Sequence, residues 1–147
     1  MCMSRSARCS GLGRSPAKGR PGPGPISSKV IVPSPFLSSL RKAEAEATVN
    51  AIRSLGRKAA ALQADVSSAL AVAGLIRETE STLGPVDILV NNAGVAVRRG
   101  LDDLTEEDFD RTIATNLKSA FLCTQAVFAG MRQRGWGRII NISSGAA

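Results

Sequence analysis

The sequence predicts an α/β fold, a parallel sheet whose strands alternate with amphipathic helices. From residue 42 onward the pattern runs helix, strand, helix, strand, helix, strand, the order that βαβ units produce. Residues 86–90, Val-Asp-Ile-Leu-Val, make a short apolar strand of the kind a parallel sheet buries on both faces. Each strand runs into a polar cluster: Asp65, then Asn91-Asn92-Ala93-Gly94, then Ser143-Ser144-Gly145. Ligands of open α/β sheets bind beyond the carboxyl ends of the strands, so three such clusters along one edge imply a site.

Residues 42–55 place Ala45, Val49 and Ile52 on one helical face, and Gly56 supplies a stop. Residues 59–64 form a short apolar run, expected to be a buried strand. Ser67 is the expected cap of a second helix with Val72, Leu75, Ile76, Thr79 and Leu83 inward, and Gly84-Pro85 ends it. Thr105-Glu106-Glu107-Asp108 is a capping-box start, a hydroxyl and an acid spaced to satisfy free amides. Phe109, Ile113, Asn116, Ala120, Thr124, Val127 and Met131 follow at steps of three or four, an inward stripe of one long helix. Gly135-Trp136-Gly137 breaks it, and residues 138–142 are the next strand.

Composition divides the chain near residue 40. Of its 147 residues, 1–43 hold eight basic side chains and no acid, while the rest hold 11 basic against 12 acidic. Six of the seven prolines also lie in the head. The net charge of +7 is therefore a property of the head, and a nearly neutral body argues against nucleic acid as partner. Cys2, Cys9 and Cys123 are an odd count without Cys-x-x-Cys spacing, and histidine is absent, so neither a disulfide framework nor a metal site is expected. No apolar run approaches the roughly 18 residues that span a bilayer, and the expected setting is the cytoplasm, with no membrane partner.

Each polar cluster also has an ordinary structural reading. Asp65-Val66-Ser67 caps a helix, Asn-Asn-Ala-Gly suits a tight loop, and Ser-Ser-Gly-Ala makes a plain turn. Asn116 sits mid-helix between Ile113 and Ala120, where a buried amide without partners costs about 1–3 kcal/mol. It is either a functional residue or a core asparagine bonded to neighbouring backbone.

Taken together, Leu62-Gln63-Ala64-Asp65-Val66, Asp87-Ile88-Leu89-Val90-Asn91-Asn92-Ala93-Gly94, Thr115-Asn116-Leu117-Lys118 and residues 137–144, Gly-Arg-Ile-Ile-Asn-Ile-Ser-Ser, resemble the short-chain dehydrogenase/reductase family, in particular its 3-oxoacyl-acyl-carrier-protein reductase branch. The resemblance covers about residues 41–147 and implies a partial Rossmann-like, doubly wound sheet in three α/β/α layers. It implies NADP or NAD as cofactor, NADP slightly favoured, and hydride transfer to or from the carbon of a small-molecule or acyl-carrier-bound carbonyl. Asp65 and Val66 would contact the adenine, and Asn92, Ala93 and Gly94 would line the ribose and nicotinamide. The Asn-Asn-Ala-Gly turn would tie the central strand to its neighbours by side-chain hydrogen bonds. Asn116 matches the asparagine that opens the helix to hold a water in a proton relay. Ser144 matches the serine that hydrogen-bonds the substrate carbonyl, an interaction that strengthens as charge builds on oxygen.

The family's proton donor is a tyrosine in a Tyr-x-x-x-Lys pair, and the 147 residues contain no tyrosine. The nearest match to the family's opening glycine motif is Ser6-Ala7-Arg8-Cys9-Ser10-Gly11-Leu12-Gly13, followed by four prolines where a helix should stand. Residues 29–32, Lys-Val-Ile-Val, fit the family's second strand, whereas its first strand, central between strands two and four, has no counterpart. The chain therefore reads as an incomplete reductase, inactive as given, with a basic Pro/Gly/Ser-rich segment 1–40 and an incomplete dinucleotide-binding domain 41–147. The head reads as a disordered extension or misread start, an organellar transit peptide, or a nucleic-acid arm. Rival readings of the whole are a non-catalytic dinucleotide- or partner-binding fragment and a non-functional remnant. Relatives of this branch are commonly homotetramers. Arg98 and Arg99 border the presumed pocket, as contacts for an acidic carrier or phosphate or as solvated loop charges.

Overall fold

The computed structural model describes residues 30–31 and 39–143. The glycine-rich match at residues 6–13 and Ser144 lie outside them. Three parallel strands, β1 (Val30–Ile31), β2 (Ile88–Asn91) and β3 (Arg138–Asn141), form one sheet in the order β1-β2-β3. Val30 lies opposite Ile88, and the β2–β3 register runs from Ile88 opposite Arg138 to Asn91 opposite Asn141. The Arg138 amide donating to the Asp87 carbonyl (3.0 Å) and the Ile142 amide donating to Asn91 (2.9 Å) carry the ladder past both ends. The segment expected as a second strand thus stands directly beside β2, the place the resemblance gives to a first strand. Lateral position in a sheet is decided by the pairing partner, 58 residues away in the case of Val30 and Ile88.

Helix α1 (Ser39–Ser54) ends as expected, with Gly56 at φ 74°, a left-handed geometry that glycine adopts without a Cβ clash. No strand follows among the described residues at 59–64: apolar character suits a strand, but ladder bonds need a neighbour, and β1 pairs only with β2. Helix α2 (Ala69–Leu83) is capped by Ser68, whose hydroxyl accepts from the Ala71 amide, and not by Ser67. Its inner face is Val72, Leu75, Ile76 and Thr79, as the periodicity predicts, with Leu83 half-buried.

After a short 3₁₀ turn (Leu101–Asp103), Thr105 caps α3 (Glu106–Ile113) by accepting the Asp108 amide at 3.2 Å. A π-helical segment (Ala114–Lys118) separates α3 from α4 (Ser119–Arg134). The extra residue of the wider turn rotates the helix face. Before it the inward residue is Asp108, and Phe109 and Ile113 are exposed; within it Thr115 points inward, and after it Ser119, Cys123, Val127 and Met131 do. The stripe predicted from Phe109 to Met131 therefore holds only in its last part. Gly135, at φ 68°, ends α4, and the Trp136 amide donates back to Met131 in a left-handed helix stop.

The core is Val66, Val72, Ile76, Val86, Leu89, Cys123, Val127 and Met131, where α2 and α4 meet beside β2. Burial alternates along β2, with Leu89 and Asn91 buried and Ile88 and Val90 half-buried. The expected burial on both faces is thus met on one. Ile140 and Ile142 are exposed as well.

Candidate functional site

Asn91–Gly94 and Ser143 lie at the carboxyl ends of β2 and β3. Asn91 is the buried tie between strand and helix. Its Nδ2 donates to Asn141 Oδ1 at 2.8 Å and to Thr124 Oγ1 at 3.3 Å. In-register asparagines closing two neighbouring strands are a signal that the sequence contains, and Asn141 was nonetheless missed there because register is not readable locally. Fixed at Asn91, the chain turns through Asn92 and Gly94, both exposed, with Ala93 half-buried against the core.

Asn116 lies in the π segment and faces this turn. The Val95 amide donates to its Oδ1 at 2.8 Å, and its Nδ2 donates to the Val95 carbonyl at 2.9 Å. One side-chain amide thus pairs with both polar groups of a single backbone residue, as a neighbouring strand would. The Ser119 amide reaches Ala114 O across the widened turn, and the Ser119 hydroxyl donates to the Thr115 carbonyl. The expectation that Asn116 is buried on an apolar stripe is corrected: it is exposed, because the π turn shifts the inward positions to Thr115 and Ser119. Its specific partners are nonetheless real, and they are backbone groups. A Cβ placed on Gly94 would lie 3.6 Å from Asn116 Oδ1, so turn and amide are in contact.

Asp65 is exposed and spends its carboxylate locally. Its Oδ1 accepts the Ser67 hydroxyl at 2.7 Å and the Ser67 amide at 2.9 Å. Those bonds to Ser67, the hydroxyl's first, hold its carboxyl below the usual range, and the Lys118 ammonium adds a smaller pull in the same direction. Val66 is 1% exposed; its side chain belongs to the core, behind the Asp65 turn. Ser143, the last described residue, is exposed just past β3.

Arg99 is not a free anion contact. Its Nη1 lies 3.0 Å from Asp108 Oδ2, and Arg111 Nη2 lies 3.4 Å from Asp108 Oδ1. The 3.0 Å contact lacks hydrogen-bond geometry, leaving Oδ2 buried and matched by charge alone. Arg98 is exposed. No group of three or more His, Cys, Asp or Glu side chains is arranged to hold a metal among the described residues. Among them, no helix is long and apolar enough to cross a membrane.

Residues 34–147 match the family model described as short chain dehydrogenase. The chain is similar to the (2S)-[(R)-hydroxy(phenyl)methyl]succinyl-CoA dehydrogenase subunit BbsD of Thauera aromatica, 44% identical over 100 residues, 68% of this chain and 40% of that protein. It is also similar to the 3-oxoacyl-[acyl-carrier-protein] reductase FabG of Staphylococcus epidermidis, 41% identical over 103 residues, 70% of this chain and 42% of that protein. Among solved structures it resembles a blue fluorescent protein from a metagenomic library in complex with NADPH, with a TM-score of 0.68 and 34% identity over 80% of this chain and 46% of that one. The chain thus spans about two-fifths of the length of these curated relatives.

Proposed function

The chain belongs to the short-chain dehydrogenase family, and from that premise we propose that it carries the nicotinamide-facing part of an NAD(P)(H)-dependent oxidoreductase acting on a carbonyl or alcohol carbon. The observation that carries this reading is the two-bond pairing of Asn116 with Val95, which sets the Asn92-Ala93-Gly94 turn against a widened helix.

The residues present fit a nicotinamide nucleotide. A Cβ at Gly94 would find only Asn116 within 4 Å, so the turn is otherwise uncovered there, and Asn92 is exposed with no side-chain hydrogen bond among the described residues. Asn92, Ala93 and Gly94 would line the ribose and nicotinamide, and Asp65 would border the adenine with Val66 anchoring its turn from the core. NADP is the favoured form, in keeping with the NADPH bound by the similar metagenomic protein. The bound nucleotide supplies the hydride. Asn116 holds the turn in place and, at the opened helix, would position a water that passes a proton. Ser144 would donate a hydrogen bond to the reacting oxygen, and its effect is largest where charge develops. The substrate would be a small carbonyl compound or an acyl group on a carrier, and the assembled protein a cytoplasmic homotetramer. The exposed apolar residues Phe109, Leu117, Phe121 and Phe128 along α3, the π segment and α4 support an assembled state.

No tyrosine occurs in the 147 residues, so binding, not turnover, is the property to measure on this chain. Titration of NADPH and NADH by nicotinamide fluorescence should saturate. Gly94→Ala should keep the melting temperature, because the added methyl meets Asn116 at an ordinary 3.6 Å and Gly94 has no positive φ. It should weaken binding about tenfold, since a methyl occupies space meant for the ring. Unchanged affinity in that variant, or no saturable binding by the wild-type chain, would sink the proposal.

A further inference from the structure

A buried carboxylate outside the groups assigned above sits in the first turn of α3. Asp108 is 7% exposed, and its Oδ2 has no hydrogen-bond partner, only the Arg99 guanidinium at 3.0 Å. A buried charge is costly unless an opposite charge meets it, and capping a helix requires no burial, since Glu106 and Glu107 are acidic and exposed in the same turn. Arg111 meets one oxygen of this carboxylate, and Arg99 is the only charge partner of the other, Oδ2, among the described residues.

Arg99 ends a segment whose other end is Val95, held by Asn116. Burial alternates along it: Ala93, Val95 and Val97 are half-buried, and Gly94, Ala96 and Arg98 are exposed. That period of two marks extended backbone. Four extended residues, 95 to 99, reach about 13 Å, and the eight helical residues from Asn116 back to Asp108 rise about 12 Å. The two lengths match. Extended residues 95–99 would therefore span from Asn116 to Asp108 as a strap fastened at both ends.

We infer that Asp108 is a positioning residue: through Arg99 it pins the far end of this strap and so holds the Ala93-Gly94 turn. The consequence for the turn rests on the nucleotide-binding reading above; the pin itself is read without nucleotide. Arg111 also touches Asp108, at 3.4 Å on the other oxygen, but it belongs to α3 and has no strap to hold.

Amide exchange by NMR on the full chain decides the matter. At low salt Arg99→Met should speed exchange at the Val95 amide, which donates to Asn116, about five- to tenfold, while the α4 amides stay unchanged. Arg99→Lys should restore most of the protection and Arg111→Met should leave the strap near wild type. Salt near 1 M, where screening reaches about 3 Å, should move wild-type strap exchange toward that of Arg99→Met. Strap exchange within about twofold of wild type in Arg99→Met, equal effects of Arg99→Met and Arg111→Met, or equal acceleration in α4 would overturn the inference. A wild-type chain that binds no nucleotide would defeat the functional reading and leave these exchange rates to decide the pin alone.

Discussion

Replacing Asn116 tests whether its pairing with Val95 holds structure together or merely accompanies it. Asn116→Ala removes two hydrogen bonds, of 2.8 and 2.9 Å. Bonds of this kind contribute about 0.5–1.5 kcal/mol each, and the site is exposed, so water can replace them and the lower half of that range applies. Alanine recovers about half a kcal/mol of helix propensity. The expected net loss is about 1 kcal/mol, or about 2–4 °C in melting temperature for a chain of this size. Asn116→Asp separates the two bonds. A carboxylate still accepts the Val95 amide, but it sets a charged oxygen against the Val95 carbonyl, which now receives an asparagine donor at 2.9 Å. The aspartate variant should therefore be the less stable of the two at neutral pH. It should recover in acid, because the protonated carboxyl can donate again. Native structure raises the pKa of this introduced group, so the recovered stability is present below its unfolded value and is lost as pH rises through the folded one. Urea melts at pH 4 and 7 measure both effects. An alanine variant as stable as wild type, or an aspartate variant indifferent to pH, would refute a clasp built on paired donor and acceptor.

A methyl added at Gly137 would stand 2.5 Å from Met131 Cγ and Sδ and 2.8 Å from its Cβ, so Gly137→Ala should cost about 1–3 kcal/mol by overpacking; a urea midpoint equal to wild type would show that Met131 swings aside freely. Burial pushes the Cys123 thiol up. The folded state then keeps its proton where the unfolded chain has lost it, so stability is full below the ordinary thiol range near 8.5 and falls as pH rises beyond it, by at most about 1.4 kcal/mol per unit. With no tyrosine or histidine present, that alkaline slope should flatten in Cys123→Ala on a Cys2→Ser, Cys9→Ser background, as denaturant melts between pH 8 and 10 would record.

What the sequence determined by itself is local. The inner face of α2, the glycine stops at Gly56 and Gly135, the Thr105 cap and the strand entering Asn91 were all legible, because helix period, left-handed stops and capping depend on residues within a turn or two. The strand ends at Asn91–Gly94 and Ser143 were legible too, since each follows a recognisable apolar run, whereas the run before Asp65 forms no strand. Tertiary structure alone decided the rest. Whether residues 59–64 join a sheet and which strand Val30 pairs with are questions about partners far away in the chain. So is the match of Asn91 with Asn141, 50 residues on. The π segment is the sharpest case. One additional residue in a turn leaves the sequence pattern intact yet turns Phe109, Ile113 and Asn116 to solvent, brings Asp108 inward to Arg99, and points Asn116 at Val95. Hydrophobic period reports which residues can be buried together; the phase between two helical segments is settled only by what each of them packs against.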